Sequence, residues 1–244
     1  MNPPSPERFF ELWVFLSTSP LLWLTVTIGA FLAAQRIAAA AGRHPLVNPV
    51  LIAIIAIVVV LDVTETDYRT YFDGAQFVHF ALGPATVALG VSLFRNRAMV
   101  AHDAAPIAAA LVVGAIVACV SAVLLARAMG LPPEIVTALA PKSVTVSIAL
   151  GIAGQIGADP GLVAVFAIAT GITGAILVTP IMNALGVKDF AARGFAVGLA
   201  SHGIGTARAF QVDGVAGAFA GLAMALNAVV TALVAPAIIG WLAP

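Results

Sequence analysis

Charge is what this sequence has least of. Only 9% of its 244 residues are Asp, Glu, Lys or Arg, against 61% hydrophobic, and mean hydropathy is +1.09. A soluble domain is about 25% charged, because charged groups must cover its surface. This chain cannot coat a water-facing surface of ordinary size, so lipid must solvate much of it. Eleven basic residues balance eleven acidic ones, and no basic face argues for nucleic acid as a partner. The one cysteine, Cys119, excludes an internal disulfide and, inside an apolar run, reads as a small packing residue. Catalytic signatures are missing too: there is no HExxH, GxSxG or Walker-type loop and no cysteine–histidine metal pattern. No enzyme activity, cofactor or metal is expected. The carboxylates fall almost wholly at the ends of apolar segments, so no intramembrane aspartyl pair is apparent.

What is there is a series of long apolar runs. A bilayer core of about 30 Å needs about 20 apolar helical residues. By that ruler Pro20 to Ala41 is a span, with Phe9 to Ser17 as an amphipathic or partly inserted lead-in, and Leu46 to Leu61 is a second. Glu7, Arg8 and Glu11 precede the first run, which reads as an inserted helix rather than a cleavable signal. A polar, acidic loop covers Asp62 to Asp73. Further segments are Ala75 to Phe94, Ala104 to Met129, Pro132 to Ile156, Pro160 to Leu185, Phe190 to Phe210 and Gly214 to Leu242. The spacing leaves no room for a separate soluble domain. The expected fold is all-α: a single polytopic membrane domain over 1–244, with about eight hydrophobic segments by that same ruler. Arg and Lys in the short loops do not decide which side each loop faces.

Three segments are interrupted. Gly83-Pro84, Ala140-Pro141-Lys142-Ser143 and Ser201-His202-Gly203-Ile204-Gly205 each break an apolar run. The first two match each other, since Ala81 to Val87 aligns with Ala138 to Val144. Downstream, Asp103 to Pro106 resembles Asp159-Pro160, and Ala128 to Leu131 resembles Ala184 to Val187. Repeat units of about 71–131 and 132–187 are therefore expected, each an interrupted segment followed by a continuous span. Proline ends one helix and suits the start of the next, so Pro141 is expected to open a half-helix. Paired broken helices point to a secondary transporter's binding site, because irregular backbone at membrane depth must line a cavity or be buried in protein. Ordinary proline kinks, or surface loops between shorter helices, are the plainer alternatives.

The polar residues gather at these breaks. Lys142 is costly at membrane depth and must face a cavity or a partner, or else snorkel to an interface. With Pro141, Ser143 and Thr145 it describes a receptor for a small carboxylate with a hydroxyl nearby: an ammonium beside the positive end of a half-helix. Ser201, His202, Gly203, Gly205 and Thr206 form the second cluster. Histidine there can donate, accept or titrate near neutral pH, so His202 is a candidate for cavity lining or proton coupling, or for a structural hydrogen bond. Thr86 is the repeat counterpart of Ser143. His79 precedes the Gly83 break, and Arg208 is either an anion contact or an interfacial anchor. Asn227, alone in the last span, reads as a helix–helix hydrogen bond, and Gly194/Gly198 and Gly217/Gly221 have close-packing spacing.

These motifs resemble the LrgB/CidB family. The similarity rests on Phe72-Asp73-Gly74-Ala75, Leu82 to Leu89, Pro141-Lys142-Ser143-Val144-Thr145 and Ala192-Arg193-Gly194. It is most specific over Ala200 to Ala209 and Gly217-Ala218-Phe219. It covers the chain from about Leu46 onward. The chain departs from the family's usual Pro-Lys-Ser-Val-Thr-Thr-Pro by reading Val146-Ser147 after Thr145. The resemblance implies a multi-pass protein of a bacterial plasma membrane. It is similar to the LrgB-type half of a plant plastid glycolate/glycerate translocator, while bacterial members are described as antiholin-like modulators of murein hydrolases. Two functions follow as expectations. One is transport of small monocarboxylates such as glycolate, glycerate or lactate by alternating access. The other is antiholin-like regulation through oligomerisation. The expected partners are a small carboxylate, the bilayer, further copies of the chain, and a separate LrgA/CidA-type membrane protein.

Overall fold

The computed structural model describes residues 19–42, 44, 46–81, 84, 87, 91 and 94–242. Their regular structure is helical throughout: α1 (Pro20–Ala40), α2 (Pro49–Val63), α3 (Tyr68–Phe80), α4 (Arg97–His102), α5 (Ala104–Ala128), α6 (Pro133–Leu139), α7 (Val146–Ile156), α8 (Pro160–Ala184), α9 (Phe190–Val212) and α10 (Gly214–Leu242). They fall into two compact units, Met1–Val87 and Ala88–Pro244. Four of the described helices, α1, α5, α8 and α10, are long and apolar enough to cross a membrane.

The helix starts explain where the scarce polar residues went. The first N–H groups of a helix have no intrahelical partner, and a short polar side chain just before it can accept from them. Asn48 Oδ1 accepts from Val50 N at 2.9 Å, Asp159 Oδ1 from Leu162 N at 2.8 Å, and Asp189 Oδ1 from Ala192 N at 2.8 Å. Asp213 Oδ1 does the same for Val215 N at 2.7 Å. Proline opens α1, α2 and α8, where its missing N–H costs nothing.

In the first unit α1 packs on α2 and α3. Gly74 permits the approach of α3, since a Cβ there would meet Trp23 Cβ at 2.7 Å. The Trp23 ring meets Tyr71 edge-on at 5.8 Å, and the Thr27 and Tyr71 hydroxyls are hydrogen-bonded at 3.2 Å. The expected second span is shorter than its apolar run: α2 has 15 residues, about 22 Å.

In the second unit α9 is not one rod. Ser201 (φ −130°, ψ 15°) and His202 (φ 41°, ψ −134°) leave the helical region, and the chain doubles back. Val197 and Ala209 share one buried cluster, although a straight helix would hold them about 18 Å apart at 1.5 Å per residue. A Cβ on Gly205 would meet Val197 O at 2.9 Å. Residues 190–200 are thus an inward arm and 203–212 a returning arm. Gly194 and Gly198 of the inward arm abut the carbonyls of Ala216 and Ala220. That constant stagger makes the inward arm parallel to α10. Gly217 abuts the Phe210 ring, and Thr206 Oγ1 lies 3.9 Å from Met224 Sδ. The returning arm is therefore antiparallel to α10. Glycine is needed at 194 and 198 because helix backbones touch there, and in lipid such small-residue packing replaces the hydrophobic drive.

α6 and α7 form a second interrupted pair, of 7 and 11 residues. At about 10 and 16 Å neither can cross a bilayer alone. Pro141 does not open the second half-helix as expected. It sits in a turn in which Lys142 N donates to Leu139 O and Val144 N to Pro141 O, both at 3.3 Å, and α7 begins at Val146 with Thr145 as its N-cap. Proline's fixed φ serves the turn as well as a first helical position.

The two interrupted pairs lie at opposite ends of the continuous helices. On α10, Ala216, Phe219, Ala220 and Ala223 pack with α9, whereas Ala235 and Ile239 pack with α6 and α7. On α5, Leu111 packs with Phe195 and Leu199, whereas Cys119, Val123 and Ala126 pack with Val136, Ala138 and Val144. The breaks consequently meet between those ends.

Candidate functional site

The two breaks share one side chain. Asn227, near the middle of α10 and 1% exposed, donates from Nδ2 to Ser143 O at 3.2 Å and to Leu199 O at 3.0 Å. Its Oδ1 accepts from Thr231 Oγ1 at 3.0 Å. All the polar capacity of the amide nitrogen is spent on the two tips. The helix–helix bond read for Asn227 from the sequence is present, and it joins both breaks.

At the α9 tip the side chains turn toward α8. His202 Nε2 lies 2.9 Å from Ala167 O, and since a carbonyl only accepts, Nε2 is the donor. Two glycines of α8 make the room: a Cβ on Gly171 would meet His202 Cε1 at 2.7 Å, and one on Gly174 would overlap Ser201 Oγ. Ser201 Oγ is buried without a hydrogen-bond partner among the described residues. Thr206 Oγ1 donates to His202 O at 2.8 Å, closing the first turn of the returning arm. Gly203 and Gly205 lie in that turn, Gly203 facing Met224 Sδ at 3.8 Å. Sequence reading missed Gly171 and Gly174. Their three-residue spacing was the available signal.

At the other tip Pro141 and Ser143 are buried, and Lys142 and Thr145 are half-buried. Lys142 Nζ donates to Ser143 Oγ at 3.3 Å. No Asp or Glu side chain pairs with Lys142 among the described residues. Thr145 places no side-chain cap on α7. Two returning arms, α7 and residues 203–212, thus begin at the tips, each with the partial positive charge of a helix N-terminus. The Lys142 ammonium stands beside one of them. The arrangement suits a small anion.

Arg208 lies elsewhere. It borders a small cleft at the outer end of the α9 hairpin with Phe190, Arg193 and Val212, and its Nη1 is 3.5 Å from Gln211 Oε1. His79 belongs to α3 in the first unit, with its side chain outside the described residues, as are Gly83 and Thr86. A larger cavity of about 570 Å³ opens between α5 and the inward arm of α9, lined by Asp103, Ile107, Gly114, Asp189, Phe195 and Leu199 among others. Apolar walls with two carboxylates do not suit an anion.

The profile of the LrgB-like family matches residues 27–241. The holin-like protein CidB of Staphylococcus epidermidis is 30% identical over 197 residues, covering 81% of this chain and 86% of its own length. The uncharacterized protein YxaC of Bacillus subtilis is 30% identical over 224 residues, covering 91% and 96%. CidB of Staphylococcus aureus is 28% identical over 219 residues, covering 90% and 95%. No solved structure matches. With the family profile matched over most of its length, this multi-pass membrane chain belongs to the LrgB-like family.

Proposed function

We propose that the protein carries small monocarboxylates, in particular 2-hydroxy acids such as glycolate, glycerate or lactate, across a bacterial plasma membrane by alternating access. The observation that carries this reading is Lys142: an ammonium at a helix break, bonded to Ser143 Oγ at 3.3 Å and to no carboxylate among the described residues, beside the start of α7, which carries no side-chain cap. A charge at membrane depth marks a substrate or ion pathway. The substrate carboxylate would accept from Lys142 Nζ and the first N–H groups of α7. Its 2-hydroxyl would lie toward Ser143 and the Ser201–Thr206 turn. His202 would line the site or relay a proton. Further copies of the chain, or an LrgA/CidA-type membrane protein, would complete the assembly.

A second reading has the relatives' name in its favour: CidB is called holin-like. On that reading the protein regulates murein hydrolases through oligomerisation and needs no substrate site. Proteoliposomes separate the two. The carrier takes up labelled glycolate with saturation and retains an entrapped neutral dye. Loss of the dye, or no saturable uptake, would favour the holin-like reading.

A further inference from the structure

The second unit contains a correspondence between two helices in length, spacing and cap. α5 (Ala104–Ala128) and α8 (Pro160–Ala184) have 25 residues each and start 56 positions apart. Both end in the same cap: Gly130 (φ 70°) and Gly186 (φ 69°) take the left-handed conformation. Leu131 N bonds Ala126 O at 3.1 Å, and Val187 N bonds Met182 O at 3.0 Å. Each pair is again 56 apart, and the cap is the glycine-ended helix stop. An interrupted pair follows each span, α6–α7 after α5 and the α9 hairpin after α8. The two pairs lie at opposite ends of α10, as their separate clusters on it require.

The same register reaches the tips. Ser143 and Leu199 are also 56 apart, and theirs are the two carbonyls that the Asn227 amide bonds, at 3.2 and 3.0 Å. One NH2 group therefore holds equivalent positions of two oppositely oriented units. The returning arms present N–H groups at the tips, whereas the inward arms present carbonyls, which would repel an anion. Asn227 satisfies those two carbonyls.

We propose that residues 103–156 and 159–212 are inverted copies of one span-and-hairpin unit, and that Asn227 is the positioning residue clamping their tips at equivalent carbonyls. The clamp is a matter of structure. Its role in holding Lys142 and Ser143 for a carboxylate rests on the transport reading above.

Two readouts on Asn227→Ala, with Asn227→Asp beside it, keep these separate. The first is hydrogen exchange of the full chain in nanodiscs without substrate. Asn227→Ala should raise exchange of residues 139–149 and of 199–209 together, by ten-fold or more, with the middle of α5 and α8 unchanged. Asn227→Asp, which keeps the Thr231 acceptor but loses both donors when ionised and keeps at most one when protonated, should also loosen the tips. Loosening of one tip alone, of neither, or of the whole unit would overturn the clamp. The second readout is glycolate uptake normalised to folded protein. Asn227→Ala should raise KM by ten-fold or more, whereas a merely structural residue would lower the amount of folded protein and leave KM unchanged. Exchange as expected in a protein that transports no glycolate would refute the transport reading and leave the clamp standing.

Discussion

His202 Nε2 donates to the Ala167 carbonyl across the α8–α9 contact at 2.9 Å, from a residue whose own backbone is left-handed at φ 41°. A non-glycine residue held there costs on the order of 1–3 kcal/mol, so the contact must over-determine the turn. The ring, 3% exposed, wedges against Gly171 and fixes where the α9 chain reverses.

Truncating that ring removes the wedge and one buried hydrogen bond. Such a bond contributes about 1 kcal/mol net, and a chain of this size shifts by roughly 2–4 °C per kcal/mol. His202→Ala should lower the thermal midpoint in detergent by several degrees, followed by tryptophan fluorescence. An unchanged midpoint would mean that the His202–Ala167 bond does not hold the reversal.

Glycines that look alike in the sequence should differ sharply. Gly174→Ala drives a methyl into Ser201 Oγ, and Gly171→Ala drives one into the His202 ring, whereas nothing lies within 4 Å of a Cβ at Gly151. Overpacking costs about 1–3 kcal/mol, while Gly to Ala inside a helix gains up to about 1 kcal/mol. Gly171→Ala and Gly174→Ala should therefore unfold at lower temperature than wild type, and Gly151→Ala at the same temperature or higher. Equal shifts at all three sites would contradict the contact between α8 and the α9 tip.

Cys119 offers a check on the other hairpin. Its side chain, 2% exposed, lies in the cluster formed with Val136, Ala138, Val144 and Ala167. A membrane-impermeant maleimide should leave the native protein unlabelled from either side and label it fully after denaturation in dodecyl sulfate. Rapid native labelling would show that α5 does not pack on α6 and α7.

Much of this was legible in the residues. The continuous spans announce their ends with Pro160, Asp159, Gly130 and Gly186, because helix caps are local chemistry and need no tertiary context. The break at Ser201–Gly205 was legible for the same reason. That α9 reverses there was not. A kink and a hairpin share one local sequence, and what decides between them is the contact of Gly194 and Gly198 with α10, which is long-range. Pro141 was read as a helix start because proline suits that position, yet it suits a turn equally, and the Leu139–Lys142 bond selected the turn. Asn227 was visible as a lone polar residue in an apolar span, but its two acceptors are backbone carbonyls, which no sequence pattern marks.

The central claim is that Lys142 binds the carboxylate of a transported acid, and it is tested most directly by uptake of labelled glycolate into proteoliposomes by Lys142→Ala beside wild type. A hydrogen bond to a charged group contributes about 1.5–3 kcal/mol, so uptake at subsaturating glycolate should fall by roughly ten-fold or more at equal folded protein. Lys142→Arg, which keeps the charge but not its point geometry, should retain part of it. Uptake by Lys142→Ala equal to that of wild type would contradict the account.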